Sequence, residues 1–168
     1  MALSLIGRKI GQIALLLAAS VPVRANIGAT MPELRQHYGS AKDMGGQLLF
    51  EVRLKDGQIV PARGAADVET HFTITVYFDG DRSGMEVFTR NTTDPAKSAI
   101  TAEDITSILG ALGNGIPWQP IQVPSGKQTW VWGSKKGAPP QLLARFDPNK
   151  TSQAEDASVL VIMEYTEK

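Results

Sequence analysis

The chain has 168 residues, with 17 basic and 17 acidic side chains and no cysteine. Zero net charge lacks the basic surplus of a nucleic-acid binder, and the missing cysteine excludes disulfide scaffolds, thiol nucleophiles, zinc ribbons and iron–sulfur sites. With 42% hydrophobic and 20% charged residues, the composition is that of a globular domain, which excludes disorder and collagen-like structure.

The first feature in chain order reads as an address. Met1 to Gln12 carries Arg8 and Lys9 and no acid, and Ile13 to Val21 is an apolar run. Pro22 then breaks the pattern and Val23-Arg24-Ala25 follows, the order of a secretory signal peptide with its cleavage site. The expectation is a signal over residues 1–25, cut after Ala25 (Ala19 is the weaker alternative), and a single domain over 26–168. A membrane span needs about 20 apolar residues, so no transmembrane anchor is expected after cleavage. The absence of cysteine rules out a lipoprotein anchor. Removing residues 1–25 takes away Arg8, Lys9 and Arg24 and no acid, leaving 14 basic against 17 acidic side chains. The expected location is secreted or periplasmic.

In the mature chain, Thr30-Met31-Pro32-Glu33 opens a short helix: Thr30 can cap, Pro32 suits the first turn and Glu33 complements the helix dipole. Leu34, His37 and Tyr38 share a face and Gly39 ends the helix. Met44-Gly45-Gly46 turns into a strand over Gln47 to Leu54, where Leu48, Phe50, Val52 and Leu54 alternate with Leu49, Glu51 and Arg53. Asp56-Gly57 is a hairpin signal with a return strand up to Pro61. His71 to Phe78 alternates most cleanly, with Phe72, Ile74, Val76 and Phe78 on one side and His71, Thr73, Thr75 and Tyr77 on the other. A turn over Asp79 to Gly84 leads into a strand, Met85 to Arg90. Thr101-Ala102-Glu103-Asp104 is a capping-box pattern, and Ile105, Ile108, Leu109 and Leu112 form the apolar stripe of a second helix ending at Gly113. Strands over Gln128 to Trp132, Gln141 to Phe146 and Ser158 to Tyr165 complete the chain.

The sum is an α+β fold: an antiparallel sheet with two short helices packed on one face. A β-barrel with peripheral helices is the alternative. A helix followed by about three strands occurs twice, with a seam near 91–98, although no residue-level similarity supports a duplication. The helix ending in Tyr38-Gly39, followed by strands, resembles small exported bacterial modules of the outer-membrane assembly lipoprotein and lactamase-inhibitor type. No residue role follows from that resemblance, and the N-terminal cysteine of the lipoprotein group is missing.

Candidate chemistry is sparse. Asp79, Asp81 and Ser83, followed by Gly84, match the first half of a calcium loop. Its last position falls on Arg90, where a cation would repel the metal, so a polar hairpin turn is the plainer reading. His37 and His71 have no metal-ligand spacing, and His71 reads as solvated. No serine lies in a nucleophile elbow, and the Gly-rich stretches lack the Lys-Ser/Thr ending of a phosphate loop. No cofactor is implied. Trp130 and Trp132 share one face of their strand. Facing outward, with Trp118 nearby, they would form an aromatic strip for a sugar or protein partner; facing inward, the favoured reading, they are core. The sequence therefore points to an exported non-catalytic module that binds a protein or envelope component through a sheet face, with Trp118, Trp130 and Trp132 as the contact region. The alternative is a small secreted hydrolase-like enzyme whose site assembles only in the fold.

Overall fold

In the computed structural model, which describes residues 25–62, 71–94, 97–133, 140–148 and 158–166, helix α1 spans Met31–Tyr38. Apart from Ala25, the predicted export signal lies outside the described residues, as do most of the turns expected at 135–140 and 147–156. Glu33 closes a capping box that the sequence reading did not assign. Its carboxylate accepts from the Thr30 N–H and hydroxyl, each at 2.8 Å. Helix α2, Ala102–Leu112, starts as expected: Asp104 Oδ2 accepts from the Thr101 N–H at 2.8 Å and Thr101 Oγ1 accepts from the Asp104 N–H at 3.1 Å.

The described residues form nine strands, in chain order β1 Ala41–Asp43, β2 Gln47–Lys55, β3 Gln58–Pro61, β4 His71–Asp79, β5 Arg82–Arg90, β6 Gln119–Ile121, β7 Thr129–Trp132, β8 Leu142–Asp147 and β9 Val159–Glu164. They form one sheet in the order β1-β2-β4-β5-β9-β8-β7-β6, with β3 paired to β2. Every described pairing is antiparallel. The fold is thus a sheet-dominated α+β arrangement. The strands before and after the 91–98 seam meet where β5 pairs with β9. None of the described helices is long and apolar enough to cross a membrane.

The alternation read from the sequence sets the inner face. Leu48, Phe50, Ile74, Val76, Phe88, Leu160 and Ile162 are almost wholly buried there, against Leu34 and Tyr38 of α1 and Ile108 and Leu112 of α2. The Asp56-Gly57 turn has φ of 50° and 71°, positive at both positions as a tight hairpin with strand-matching twist requires. At the other hairpin, β4 and β5 slip register between Tyr77 and Phe78. Gly84 is the extra residue of this bulge, which brings Ser83 opposite the inward Phe78.

Gly110 inside α2 and Gly113, which caps its C-terminus, have opposite surroundings. A Cβ on Gly113 would meet the Ile116 carbonyl oxygen at 2.5 Å and the Leu109 carbonyl oxygen at 3.1 Å, whereas one on Gly110 meets nothing within 4 Å. Gly113→Ala is expected to destabilise by about 1–3 kcal/mol through forced backbone movement. Gly110→Ala should stabilise by about 0.5–1 kcal/mol through helix propensity. Urea unfolding of the two variants checks both signs.

Candidate functional site

The tryptophans do not make an exposed strip. Trp132 lies on the inner face, 3% exposed, and its Nε1–H donates to the Gly113 carbonyl at 3.1 Å. Trp118 is buried beside it, with ring centroids 6.4 Å apart and its own Nε1 without a partner. Trp130 is half-buried against the core. Trp118 and Trp130 line a small cleft of about 280 Å³ with Ile105, Leu109 and Ile116.

The Asp79–Ser83 segment is a two-residue turn, not a wide loop: Asp79 pairs directly with Arg82, leaving Gly80 and Asp81 at the tip. Ser83 is buried and engaged, its hydroxyl donating to the Asn26 carbonyl and accepting from the Ala29 N–H. Among the described residues, no group of three or more His, Asp or Glu side chains is placed to hold a metal. His71, expected in solvent, is buried at the start of β4. There it is paired in register with Arg53, and its carbonyl accepts from the Asn91 N–H. His37 sits edge-on to Tyr38 with Nε2 buried and unpartnered, and burial lowers its pKa. Among the described residues neither histidine hydrogen-bonds a carboxylate.

A polar cluster the sequence reading missed lies beneath α1. Glu86, on the inner face of β5, is fully buried between Val76 of β4 and Ile162 of β9. The Tyr38 hydroxyl donates to Glu86 Oε1 at 3.0 Å, while Oε2 has no partner. The Asn26 N–H and side-chain amide approach this pair, although the Asn26 Nδ2 forms no aligned bond. Burial raises the Glu86 pKa to about 7, against the lowering effect of Tyr38 and the Asn26 N–H. Burial and then the Glu86 charge push the Tyr38 hydroxyl well above its usual range. The legible signal was that Glu86 shares strand parity with Phe88, opposite Val76.

The opposite face of the sheet is of another kind. Pairing runs Tyr77, Met85, Met163, Leu143 and Val131 side by side across β4, β5, β9, β8 and β7. Val87 and Val161 pair in the next row. Tyr77, Met85, Leu143, Val161 and Met163 stay half-buried, and none belongs to the core under the helices. Both helices pack on the inner side.

The class defined by fold and site is a sheet-dominated α+β module with one face filled by helices and the other bearing an apolar band. No family model, no curated protein and no solved structure matches the chain.

The Glu86 shift sets a pH dependence for the chain with Asn26 in peptide linkage. Raised from 4.5 unfolded to about 7 folded, the carboxyl binds its proton more tightly in the native state. Its contribution is therefore fully present below the unfolded value and is lost as pH rises to about 7. A loss of about 3 kcal/mol across that window is expected. Urea unfolding at a series of pH values checks it, and Glu86→Gln should flatten the profile.

Proposed function

We propose that the chain is an exported, non-catalytic module that binds a protein partner through the outer face of its sheet. The observation that carries this reading is the band Tyr77, Met85, Met163, Leu143 and Val131, an apolar row across five strands that neither described helix covers and that is half-exposed except at the buried Val131. Contiguous apolar surface rimmed by polar residues is the usual mark of a protein interface. The rim is supplied by Gln47, Thr75, Thr89 and Arg145 on the same face. Export is supported by the order of Arg8-Lys9, the apolar run 13–21 and Val23-Arg24-Ala25. The tryptophans then serve the module indirectly: Trp132 ties β7 to the end of α2, which fixes where Val131 sits on the outer side.

Immobilised protein beginning at Asn26 is expected to enrich one envelope or extracellular protein. The double variant Leu143→Glu with Met163→Glu should weaken that capture by about tenfold or more. A control change at the exposed Met44 should leave it intact. Capture undiminished by the double variant, in protein still folded by circular dichroism, would remove the outer face from the mechanism.

A further inference from the structure

Glu86 is a carboxyl without a cation. Among the described residues no Lys, Arg or His pairs with it, and the groups that face it are Tyr38 from α1 and Asn26 from the N-terminal strap. Its neighbours on β4 and β9, Val76 and Ile162, are apolar. His37 lies beyond the Tyr38 ring, and Arg82 donates to the Gly28 carbonyl at 2.8 Å. The strap is held firmly in place. Ser83 binds the Asn26 carbonyl and the Ala29 N–H through its hydroxyl, and its backbone exchanges bonds with Gly28 at 2.7 Å and Ala29 at 2.9 Å. The backbone nitrogen of Asn26, held in this strap, approaches Glu86, the one buried carboxyl among the described residues that has no cationic partner, and it follows directly on the expected cleavage site.

We propose that the Ala25–Asn26 bond is cut during export and that the new α-ammonium of Asn26 becomes the buried counter-ion of Glu86. This rests on the export reading above. Hydrolysis by an endopeptidase of the export route adds one water: Ala25 leaves as a carboxylate, and Asn26 gains a primary amine that takes up a proton at neutral pH. An amide N–H offers one hydrogen and no net charge, whereas the ammonium offers three hydrogens and a full charge, enough to serve Oε2 as well. An opposite charge at that distance favours the ionised carboxyl. Ala25 is 5% exposed, so the bond is out of a peptidase's reach once the domain has closed and must be cut before then. Removing Ala25 also opens the adjoining cleft of about 570 Å³, lined by Ala25, Ile27, Ser83, Trp132 and Tyr165. Processing and completion of the fold are thereby coupled: the polar cluster under α1 is complete only in the cut chain.

Two experiments test this separately. The full chain exported from a bacterial host should be recovered with Asn26 as its first residue by mass spectrometry. A different start overturns the assignment of the bond, and a chain that stays uncut in the cytoplasm overturns the export reading with it. Independently, protein starting at Asn26 is compared with a form retaining Ala25, which turns the Asn26 amine back into an amide, both released from a fusion without extra residues. In the Asn26 form the carbon-13 shift of the Glu86 carboxyl should report an ionised group at about pH 6. In the form retaining Ala25 it should report a protonated one. The Asn26 form should also unfold at higher urea at neutral pH, by a margin that vanishes in Glu86→Gln. A carboxyl still protonated at about pH 6 in the Asn26 form, or identical spectra for the two forms, overturns the ion pair whatever the first experiment finds.

Discussion

A carboxyl group in the middle of an apolar sheet face constrains everything that packs on that face. Left without polar partners, Glu86 would cost more than several of its apolar neighbours return. It is fully buried, out of reach of bulk solvent, so the protein itself must bring polar groups to it. Helix α1 supplies the first: it is only eight residues long, and its last residue, Tyr38, delivers a hydroxyl while its ring packs at a tilt of 60° against Phe50, centroids 5.3 Å apart. Gly39, at φ 89°, then turns the chain away at once, in contact range of Pro61. The bulge at Gly84 supplies the second by bringing Ser83 inward, where it grips the strap that carries Asn26. Cap, bulge and strap all converge on one side chain.

The same logic runs at the other end of the inner face, where a buried carboxylate is ion-paired and two hydrogen bonds stand beside it. Three contacts tie α2 and its flanks to strands from both sides of the chain. Asp104, which caps α2, also meets Arg90 at the end of β5, at 3.4 Å. The Ile100 N–H donates to the Ser158 hydroxyl at 2.6 Å, just before β9. Trp132 reaches the Gly113 carbonyl from β7. α2 is therefore positioned by β5, β7 and the start of β9 together, which explains why the two runs of strands merge into one sheet and not two separate layers.

How much of this was legible in the sequence depended on whether a residue obeyed the period of its element. The alternation of Phe72, Ile74 and Val76, the Asp56-Gly57 turn and the Thr101 capping box obey it, and all three stand in the structure as read. β1 and β6 have three residues each, too few to show a period. β5 starts at Arg82, earlier than Met85, because the bulge shifts the alternation by one residue and hides the first part of the strand. Glu86 went unread because an acid in a strand normally marks the solvent side. Only its parity with Phe88, set against the register of the hairpin, contradicts that rule. His71 shows the reverse: its outward parity predicts exposure, yet it is only 9% exposed.

The geometry also separates the two ways in which a sheet can hold a partner. Pairing along an edge needs a long strand with free N–H and C=O groups. At one end of the sheet lie β1, three residues with Lys42 and Asp43 exposed, and β3, four residues ending in Pro61; at the other lies β6, three residues centred on Pro120, and neither proline has an N–H to donate. Both ends carry the features by which natural sheets blunt their edges, short length, charge and proline. Among the described residues the outer face has no such protection: Met85 and Met163 sit side by side on the two central strands, β5 and β9, with Leu143 next to them on β8. A sheet that blocks its edges and leaves its centre apolar favours contact face-on, where side-chain packing and not backbone pairing sets specificity.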